Sequence, residues 1–306
     1  MKTISISDFE NVMIGQAEDP VGKTGVTVFV LGRDGMPAGL DVRGGGPASR
    51  ESELLKPLAA ADRINAIVLG GGSAFGLDAA GGVMQYLEEH GIGYDVGITK
   101  VPLVCQSDIF DLTVGDFRAR PTREMGYEAC RNLGNYQDGP HGAGIGASVG
   151  KMMGMEGSMP GGIGSHAVQV GQLKVGAVAV VNALGDIYDH VTGRKLAGLH
   201  DPKTGSPIDS DQVLYNLKCP QDNKFTGNTT LSVVFTNGQF DKTALCKIAG
   251  MAHNGYARAI RPVHTSADGD SIYTVSTGNV VADKDMVGEL ATYVVAEAIK
   301  AAVTHR

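Results

Sequence analysis

The sequence lacks three features that would point to other classes of protein. Lysine and arginine total 26 against 33 aspartate and glutamate residues, which gives a formal net charge of -7. Because phosphate binding needs clustered basic side chains, this balance argues against nucleic acid and anionic membranes as partners. No run approaches the roughly 20 apolar residues of a membrane span, and residues 1–12 lack the basic start and apolar run of a secretory signal. These absences predict a cytoplasmic protein.

Cysteine is also scarce, with four residues spread over the chain: Cys105, Cys130, Cys219 and Cys246. They form no CxxC pair and have no histidines at metal-ligand spacing, so neither a redox motif nor a metal site is predicted. Free cysteines of this kind are usually buried. We therefore expect reduced, mostly buried thiols, and no metal or other cofactor.

Glycine, in contrast, is abundant. The 306 residues are 42% hydrophobic and 19% charged, which is enough for a substantial core. The 44 glycines are roughly twice the number expected from an average usage of about 7%. They cluster in RGGGP, LGGGSAFG, HGAGIGASVG and MPGGIG, without the three-residue period of collagen. Such clusters mark tight turns and close approaches of the backbone.

The hydrophobic pattern predicts an α/β protein. Apolar or β-branched runs at 25–31, 66–69 and 175–189 indicate buried strands, and apolar residues recur at helical spacing from Leu77 until Gly91. The last quarter is predicted to be β-α-β-α: a strand from Thr229, the strand SIYTVST, and helices at about 241–259 and 285–303. The predicted linker is 198–227, which is rich in proline, aspartate, lysine and asparagine.

Most short motifs of known chemistry are incomplete. HGAGIGASVGK has neither Walker nor GxGxxG spacing, and GxSxG and HExxH do not occur. GGGSAFG follows a strand and precedes a helix, so its N–H groups could surround an anion, but we favour close strand-to-helix packing. The eight histidines are scattered. For His264, which lies beside other polar residues, a structural hydrogen bond is the favoured interpretation.

The stretch GNTTLSVVFTN begins a predicted strand with hydroxyl side chains directly after Asn228. A threonine hydroxyl needs an adjacent base to act as a nucleophile. An α-amino group, with a reference pKa of about 7.7 to 8.0, can be that base if the threonine is N-terminal. Thr229 would become N-terminal if its hydroxyl attacked the Asn228 carbonyl and water hydrolysed the resulting ester. An ordinary threonine-rich strand remains the alternative on these residues alone.

A second polar segment, Asp268-Gly269-Asp270, lies directly before a predicted strand. A carboxylate there could orient the amine or the hydroxyl of Thr229 and stabilise its ammonium form. Turn formation is the alternative interpretation, since aspartate and glycine are common turn residues.

Along nearly its whole length the chain resembles the DmpA family, the L-aminopeptidase D-Ala-esterase/amidases, which includes β-aminopeptidases and nylon-oligomer hydrolases. The matches are TGVTVFV, DVRGGGPASRESELL, GGSAFGLDAAGGVMQYL, VPLVCQSDIFDL, GAGIGASVGK, PGGIGS, VVNALGD, GNTTLSVV and PVHTSADGDSIYTVSTG. The resemblance implies self-cleavage between Asn228 and Thr229, which would divide one domain, 1–306, into an α chain 1–228 and a β chain 229–306. It also implies a four-layer αββα sandwich, similar to N-terminal-nucleophile hydrolases and ornithine acetyltransferases, and a homo-oligomer, often a tetramer.

Site residues carry over where these motifs match. In the nylon-hydrolase branch the DGD segment supplies carboxylates near the nucleophile, here Asp268 and Asp270. Lys151, which ends GAGIGASVGK, matches a lysine of that site, and Asn182 in VVNALGD matches an asparagine that resembles an oxyanion-hole donor. Phe110 in DIFDL stands where that branch has a tyrosine, so substrate positioning would differ here.

The implied activity is hydrolysis of an amide bond in a small peptide or amino-acid amide, through an acyl-enzyme on Thr229. Two alternatives stay open. An acyltransferase of the ornithine acetyltransferase type would cleave itself in the same way but pass the acyl group to an amine. An uncleaved small-molecule binding protein would keep the fold and remain one chain of 31.8 kDa. The DGD and RGGGP matches favour the hydrolase.

Overall fold

Residues 1–217 and 227–305 are described by a computed structural model. Two β-sheets pack face to face, and a pair of helices covers the outer face of each sheet. The layers therefore run helix, sheet, sheet, helix. This is the αββα sandwich that the family resemblance implied.

The larger sheet has six strands. From edge to edge they are Lys2–Ile4, Gly162–Val170, Leu173–Asn182, Thr229–Gly238, Ser271–Val280 and Ala38–Val42. Neighbouring strands are antiparallel except the fourth and fifth, which are parallel and are joined through helix Lys242–Ala259. This unit confirms the β-α-β order predicted for the last quarter of the chain.

The parallel pair brings together two segments that are distant in the sequence. Neighbouring parallel strands run in the same direction, so their first residues lie side by side. Asn228, before the fourth strand, therefore forms a parallel bridge with Asp268, which lies just before the fifth. The third strand runs the other way, so its last residue, Asn182, pairs with Thr229. The NTT, DGD and VVN motifs consequently meet where the central strands of the larger sheet begin or end.

The smaller main sheet has five strands, in the order Val12–Asp19, Thr24–Leu31, Ala66–Gly70, Val104–Asp108 and Ala48–Arg50. Its third and fourth strands are parallel. Short strands form additional ladders: Tyr94–Asp95 with Lys100–Val101, Ser148–Val149 with Met159–Pro160, and Asp186–Tyr188 with both Lys195–Ala197 and Ile260–Arg261.

Apolar side chains of both sheets fill the space between them. Alternate residues of a strand point to opposite faces of its sheet. In strand Thr229–Gly238, Val234 packs in the core under the helices, whereas the inner core between the sheets receives Leu231, Val233 and Phe235. The same alternation places Thr229 on the inner face, toward the second sheet.

The helices lie on the outer faces. Lys242–Ala259 and Lys284–Thr304 cover the larger sheet, Ala79–Glu89 and Arg123–Arg131 cover the smaller one, and Ser210–Tyr215 is a short peripheral helix. The two C-terminal helices begin close to the predicted positions because aspartate side chains cap them: Asp241 accepts from the Ala244 N–H and Asp283 from the Met286 N–H. Within the described ranges, no helix combines the length and the apolar character needed to cross a membrane.

Part of the predicted linker, 198–227, is fixed to the body of the protein. Asp186 is fully buried, and its carboxylate accepts the Leu199 N–H at 2.7 Å and the Ser210 N–H at 2.8 Å. A buried carboxylate needs such donors, so these bonds hold the chain as far as the short helix that starts at Ser210. Residues 218–226 lie outside the described part of the structure.

The cysteines follow the prediction where the structure describes them. Cys105 and Cys130 are buried and Cys246 is half-buried, all as free thiols. Burial raises the pKa of the Cys105 and Cys130 thiols to about 12, so neither is a thiolate at neutral pH. The prediction for Cys219 falls outside the described residues.

Candidate active site

The five predicted catalytic residues form one buried cluster at the ends of the central strands of the larger sheet. Their exposed fractions are small: 4% for Thr229, 2% for Asp268, 1% for Asp270 and Lys151, and 0% for Asn182. Thr229 pairs with Asn182 in the sheet, and the residues on either side of Thr229 connect to Asp268 by a β-bridge and to Asp270 by a hydrogen bond. Lys151 joins the cluster through its hydrogen bonds to Asn182. In this environment electrostatic interactions are stronger than in water.

The peptide bond between Asn228 and Thr229 has two donors on its carbonyl oxygen. Thr229 Oγ1 lies 2.5 Å from that oxygen, and the Gly269 N–H donates to it at 2.8 Å. An N–H directed at a carbonyl oxygen stabilises the negative charge that develops when the carbonyl is attacked. Gly269 leaves no room for a side chain, because a Cβ there would lie 2.7 Å from Thr229 Oγ1.

Lys151 and Asn182 hold the main chain just upstream of that peptide bond. Lys151 Nζ donates to Asn182 Oδ1 at 2.8 Å, to the Asn182 carbonyl at 3.0 Å and to the Gly227 carbonyl at 3.1 Å. Asn182 Nδ2 donates to the carbonyls of Phe110 at 3.0 Å and Gly227 at 3.3 Å, while Asn182 Oδ1 also accepts the Ser148 N–H. The amide of Asn182 is therefore oriented by this network, with its NH₂ directed at Gly227.

Burial determines the protonation of Lys151. Removal from water lowers the pKa of its ammonium group to about 7, and the negative charges of Asp268 and Asp111 counteract part of that effect. Near neutral pH the side chain is therefore divided between its charged and neutral forms. Such a group can both accept and donate a proton at physiological pH.

The two carboxylates of the DGD segment are held by hydrogen bonds rather than turned to solvent. Asp268 Oδ2 accepts the Thr265 N–H at 2.8 Å and the Thr265 hydroxyl at 2.6 Å. Burial, and then the nearby charge of Asp270, raise the pKa of Asp268 above its usual range. Asp270 Oδ1 accepts the Thr230 N–H at 2.7 Å, and Asp270 Oδ2 accepts hydrogen bonds from His264. The segment is thus bonded both within its own loop and to the strand that begins at Thr229.

Asp111 is a further buried carboxylate beside the cluster that the sequence did not single out. It accepts the Thr24 hydroxyl and the Gly72 N–H, each at 2.7 Å. Burial raises the pKa of Asp111, and its charge acts on Lys151. Gly72 belongs to the GGGSAFG loop, so an N–H of that loop does bind an anion, but the anion comes from the same chain. The only sequence signal was its place in the matched DIFDL segment.

Phe110 joins the site through its main chain. Its carbonyl accepts Asn182 Nδ2, and its side chain is half-buried. A role of the ring in substrate binding stays a prediction. Across the two described ranges, no group of three or more His, Cys, Asp or Glu side chains is arranged to hold a metal ion.

Sequence comparison agrees with the fold and the motifs. The family model of Peptidase family S58 matches residues 5–305. An uncharacterized aminopeptidase of Mycobacterium leprae is 39% identical over 295 residues, which cover 91% of this chain and 80% of the relative. A 6-aminohexanoate-oligomer endohydrolase of an Agromyces species is 31% identical over 282 residues, which cover 89% of this chain and 75% of the relative.

Structure comparison supports the same fold. The L-aminopeptidase D-Ala-esterase/amidase of Ochrobactrum anthropi, a variant of the N-terminal-nucleophile hydrolase fold, superposes with a TM-score of 0.71. The match covers 97% of this chain and 85% of that protein at 17% identity. Together with the family match, this confirms the resemblance predicted from the motifs. The chain therefore belongs to Peptidase family S58, the family of the L-aminopeptidase D-Ala-esterase/amidases, and is a hydrolase of peptide or amide bonds.

Proposed function

We propose that this hydrolase cleaves its own Asn228–Thr229 bond and then hydrolyses amide bonds through an acyl-enzyme on the new N-terminal Thr229. One observation carries the proposal. The Asn228 carbonyl oxygen lies 2.5 Å from Thr229 Oγ1 and accepts the Gly269 N–H at 2.8 Å. A candidate nucleophile and a candidate oxyanion donor thus meet at one peptide bond.

Self-cleavage would proceed by an N-to-O acyl shift. Thr229 Oγ1 attacks the Asn228 carbonyl carbon, and the Gly269 N–H stabilises the oxyanion. The hydroxyl proton passes to a buried base, for which Lys151 is the candidate because its Nζ contacts the Gly227 carbonyl, one residue before Asn228, and its pKa lies near 7. The C–N bond then breaks, the nitrogen takes up the proton as an amine, and water hydrolyses the ester. The products are the chains 1–228 and 229–306.

The fold favours retention of the new terminus. Strand Thr229–Gly238 lies in the interior of the larger sheet, paired along its length with Leu173–Asn182 and Ser271–Val280. Cutting one peptide bond at the start of this strand removes none of those pairs. A nucleophile built on a rigid element keeps its geometry, so both chains should remain one folded unit.

In turnover the free α-amine of Thr229 would be the base. It accepts the Oγ1 proton as Oγ1 attacks the substrate carbonyl, and the Gly269 N–H with Asn182 Nδ2 stabilises the oxyanion. One N–H of Asn182 Nδ2 would become available for this, because its acceptor, the Gly227 carbonyl, lies at the end of the α chain that cleavage frees, while the other N–H keeps its bond to the Phe110 carbonyl. The ammonium then protonates the leaving amine, and water attacks the acyl-enzyme.

Lys151, Asp268 and Asp270 would set the charge around the amine. Asp270 binds the Thr230 N–H, one residue from the new terminus, and Asp268 lies beside Asn228 in the parallel bridge. Carboxylates near an ammonium favour its charged form. The buried ammonium of Lys151 opposes that effect, so the three groups together would tune the proton affinity of the α-amine.

The substrate class that we propose is a small peptide or an amino-acid amide. This rests on the names of the relatives, an aminopeptidase and a 6-aminohexanoate-oligomer endohydrolase. Assembly into a homo-oligomer such as a tetramer, and a cytoplasmic location, stay predictions from the sequence. A product formed faster with an added amine acceptor than with water alone would instead favour the acyltransferase alternative.

The proposal can be tested by intact mass measurement under denaturing conditions, with N-terminal sequencing of any fragment. We expect a fragment that begins TTLSVVFTN in the wild type and an intact folded chain in Thr229→Val. Thr230→Val is the matched control, because its hydroxyl lies on the opposite face of the same strand and the residue is also buried. Normal processing of Thr229→Val, or a wild type that stays intact and hydrolyses no amide, would overturn the proposal.

A further inference from the structure

His264 occupies an unusual position next to the candidate site. It lies between strands Ile260–Arg261 and Ser271–Val280 with a φ of +56°, in the left-handed region that residues other than glycine seldom adopt. Its side chain is 18% exposed. The sequence favours a structural hydrogen bond for this residue, and in the structure its partner is Asp270, one of the predicted catalytic carboxylates.

His264 contacts one oxygen of that carboxylate twice. Asp270 Oδ2 accepts the His264 backbone N–H at 3.2 Å and pairs with His264 Nδ1 at 2.8 Å. Asp270 Oδ1 accepts the Thr230 N–H at 2.7 Å. A continuous chain of hydrogen bonds therefore runs from the imidazole through the carboxylate to the peptide unit that follows Thr229.

The neighbouring rings fix the imidazole in place. Its centroid lies 4.7 Å from that of His253 and 5.7 Å from that of Tyr256, and the Tyr256 hydroxyl donates to Ser232 Oγ. His264 Nε2 is buried and has no hydrogen-bond partner within the described residues. The hydrogen-bond pattern thus assigns the proton to Nδ1, from which it donates to Asp270.

We infer that His264 is a positioning residue for this site. Its imidazole holds the Asp270 carboxylate against the main chain beside Thr229. The inference rests on the proposed function, because Asp270 must act on Thr229 for its position to matter. His264 itself does not reach the reacting atoms and acts through Asp270. Without the ring, Asp270 Oδ2 would keep only the longer bond from the backbone N–H.

A structural role alone would predict loss of stability without a change in chemistry. A positioning role predicts a slower reaction in a protein that is still folded, and a rate that returns when another side chain supplies the lost N–H donor. The groups that face the pair from other elements must be considered too: Asp268 on the same loop, His253 and Tyr256 on helix Lys242–Ala259, and Asp41 and Arg43, which contact each other beside His253. All of them remain in the variants compared below.

The test measures the self-cleavage rate, which needs no added substrate, in freshly translated protein between about pH 5 and pH 9. We expect His264→Ala to slow cleavage by about 10- to 100-fold. His264→Asn should stay within about threefold of wild type, because its NH₂ can replace the Nδ1–H and asparagine tolerates a positive φ.

A matched control removes another histidine–carboxylate pair. His190 Nε2 lies 2.8 Å from Glu297 Oε1, and its side chain is 9% exposed. His190→Ala should lower the melting temperature without changing the cleavage rate or its pH profile. It therefore measures how much of the His264→Ala effect comes from lost stability.

Two results would overturn the inference. One is a His264→Ala chain that cleaves at the wild-type rate. The other is a His264→Asn chain that is folded and as slow as His264→Ala, because the restored N–H donor would then have no effect on the reaction. A wild type that neither cleaves itself nor hydrolyses L-alanine p-nitroanilide would overturn the proposed function together with this inference. A wild type that does cleave itself leaves only the positioning role in question.

Discussion

The Gly269 N–H donates to the carbonyl oxygen of Asn228 at 2.8 Å, on the bond that we propose is cut. This contact follows from topology, because the two residues precede neighbouring parallel strands, whose first residues lie side by side. The donor belongs to the main chain, so no side-chain substitution removes it directly. Its position can still be tested through the space around Gly269.

Gly269→Ala should block self-cleavage. A Cβ at this position would lie 2.7 Å from Thr229 Oγ1 and 2.9 Å from the Gly46 carbonyl oxygen, so either the hydroxyl or the loop must move. Displacing one oxyanion donor typically costs about 100- to 1000-fold in rate. We expect a loss of that order in the fraction cleaved per hour, measured by denaturing mass spectrometry.

Gly46→Ala is the control for that variant. Gly46 lies in the adjacent RGGGP loop, but a Cβ there would be 4.0 Å from the nearest heavy atom, the Asp268 carbonyl oxygen. This variant should cleave at the wild-type rate. Equal rates for Gly269→Ala and the wild type would mean that the Gly269 N–H contributes nothing to the reaction.

Asp270→Asn should slow self-cleavage more than it destabilises the fold. The carboxylate accepts bonds at both oxygens, from Thr230 on one side and His264 on the other. An amide has one acceptor oxygen, so its NH₂ would face one of these donors. We expect the cleavage rate to fall by about 100-fold or more, as for loss of an orienting catalytic carboxylate.

The control for Asp270→Asn is Asp189→Asn. Asp189 also accepts two main-chain N–H groups, from Val191 and Thr192, and it forms an ion pair with Lys300. Its loss should lower the melting temperature and leave the cleavage rate unchanged. If Asp270→Asn lost stability but cleaved normally, the DGD segment would act only as a turn.

Much of the secondary structure was predictable from local patterns. The strand predicted at 25–31 is Thr24–Leu31, and the helix predicted at 241–259 is Lys242–Ala259, because periodicity and capping act over neighbouring residues. The strand order was not predictable in this way. It depends on pairings between distant segments, such as Thr229–Gly238 with Leu173–Asn182, which no local pattern specifies.

The site shows the same limit at the level of single residues. Asp268, Asp270 and Lys151 could be named because their side-chain chemistry stands out in matched motifs. Gly269 could not be assigned a role, since a main-chain N–H is common to nearly every residue type and only its direction makes it a donor. Asp111 was missed because its effect on Lys151 depends on burial and distance in the folded chain.

Lys151→Met should flatten the pH dependence of stability, tested in Thr229→Ala so that every chain stays intact. The folded pKa of Lys151 is about 7, below the unfolded value of about 10.4. Between these two pH values the unfolded chain binds one more proton than the folded chain. The free energy of unfolding therefore rises with pH, by at most about 1.4 kcal/mol per pH unit. Replacing the lysine removes this contribution.

Urea unfolding at several pH values from about 7 to 10 measures the effect. We expect the difference in unfolding free energy between the lysine-containing chain and Lys151→Met to grow as the pH rises. Lys56→Met is the control, because the Lys56 side chain is 65% exposed and its loss should leave the slope unchanged. Parallel stability curves for Lys151→Met and its parent would show that Lys151 titrates normally.

Asp111→Asn should move the acidic limb of the self-cleavage pH profile to lower pH. The charge of Asp111 raises the pKa of Lys151 against the effect of burial, so neutralising it lowers that pKa further. If neutral Lys151 is the base, the active form then persists to lower pH. Asparagine can keep both contacts, accepting the Gly72 N–H and donating to Thr24 Oγ1, so the fold should be little changed.

Asp108→Asn is the matched control for this shift. Asp108 lies on the same segment and is fully buried, but the charges that raise the pKa of Lys151 are those of Asp268 and Asp111. Its replacement should therefore leave the acidic limb in place. An equal shift in both variants would point to a change in packing, and no shift in Asp111→Asn would mean that the reacting base is a group other than Lys151. A shift seen only in Asp111→Asn would mean that the charge of Asp111 affects the proposed cleavage through the pKa of Lys151.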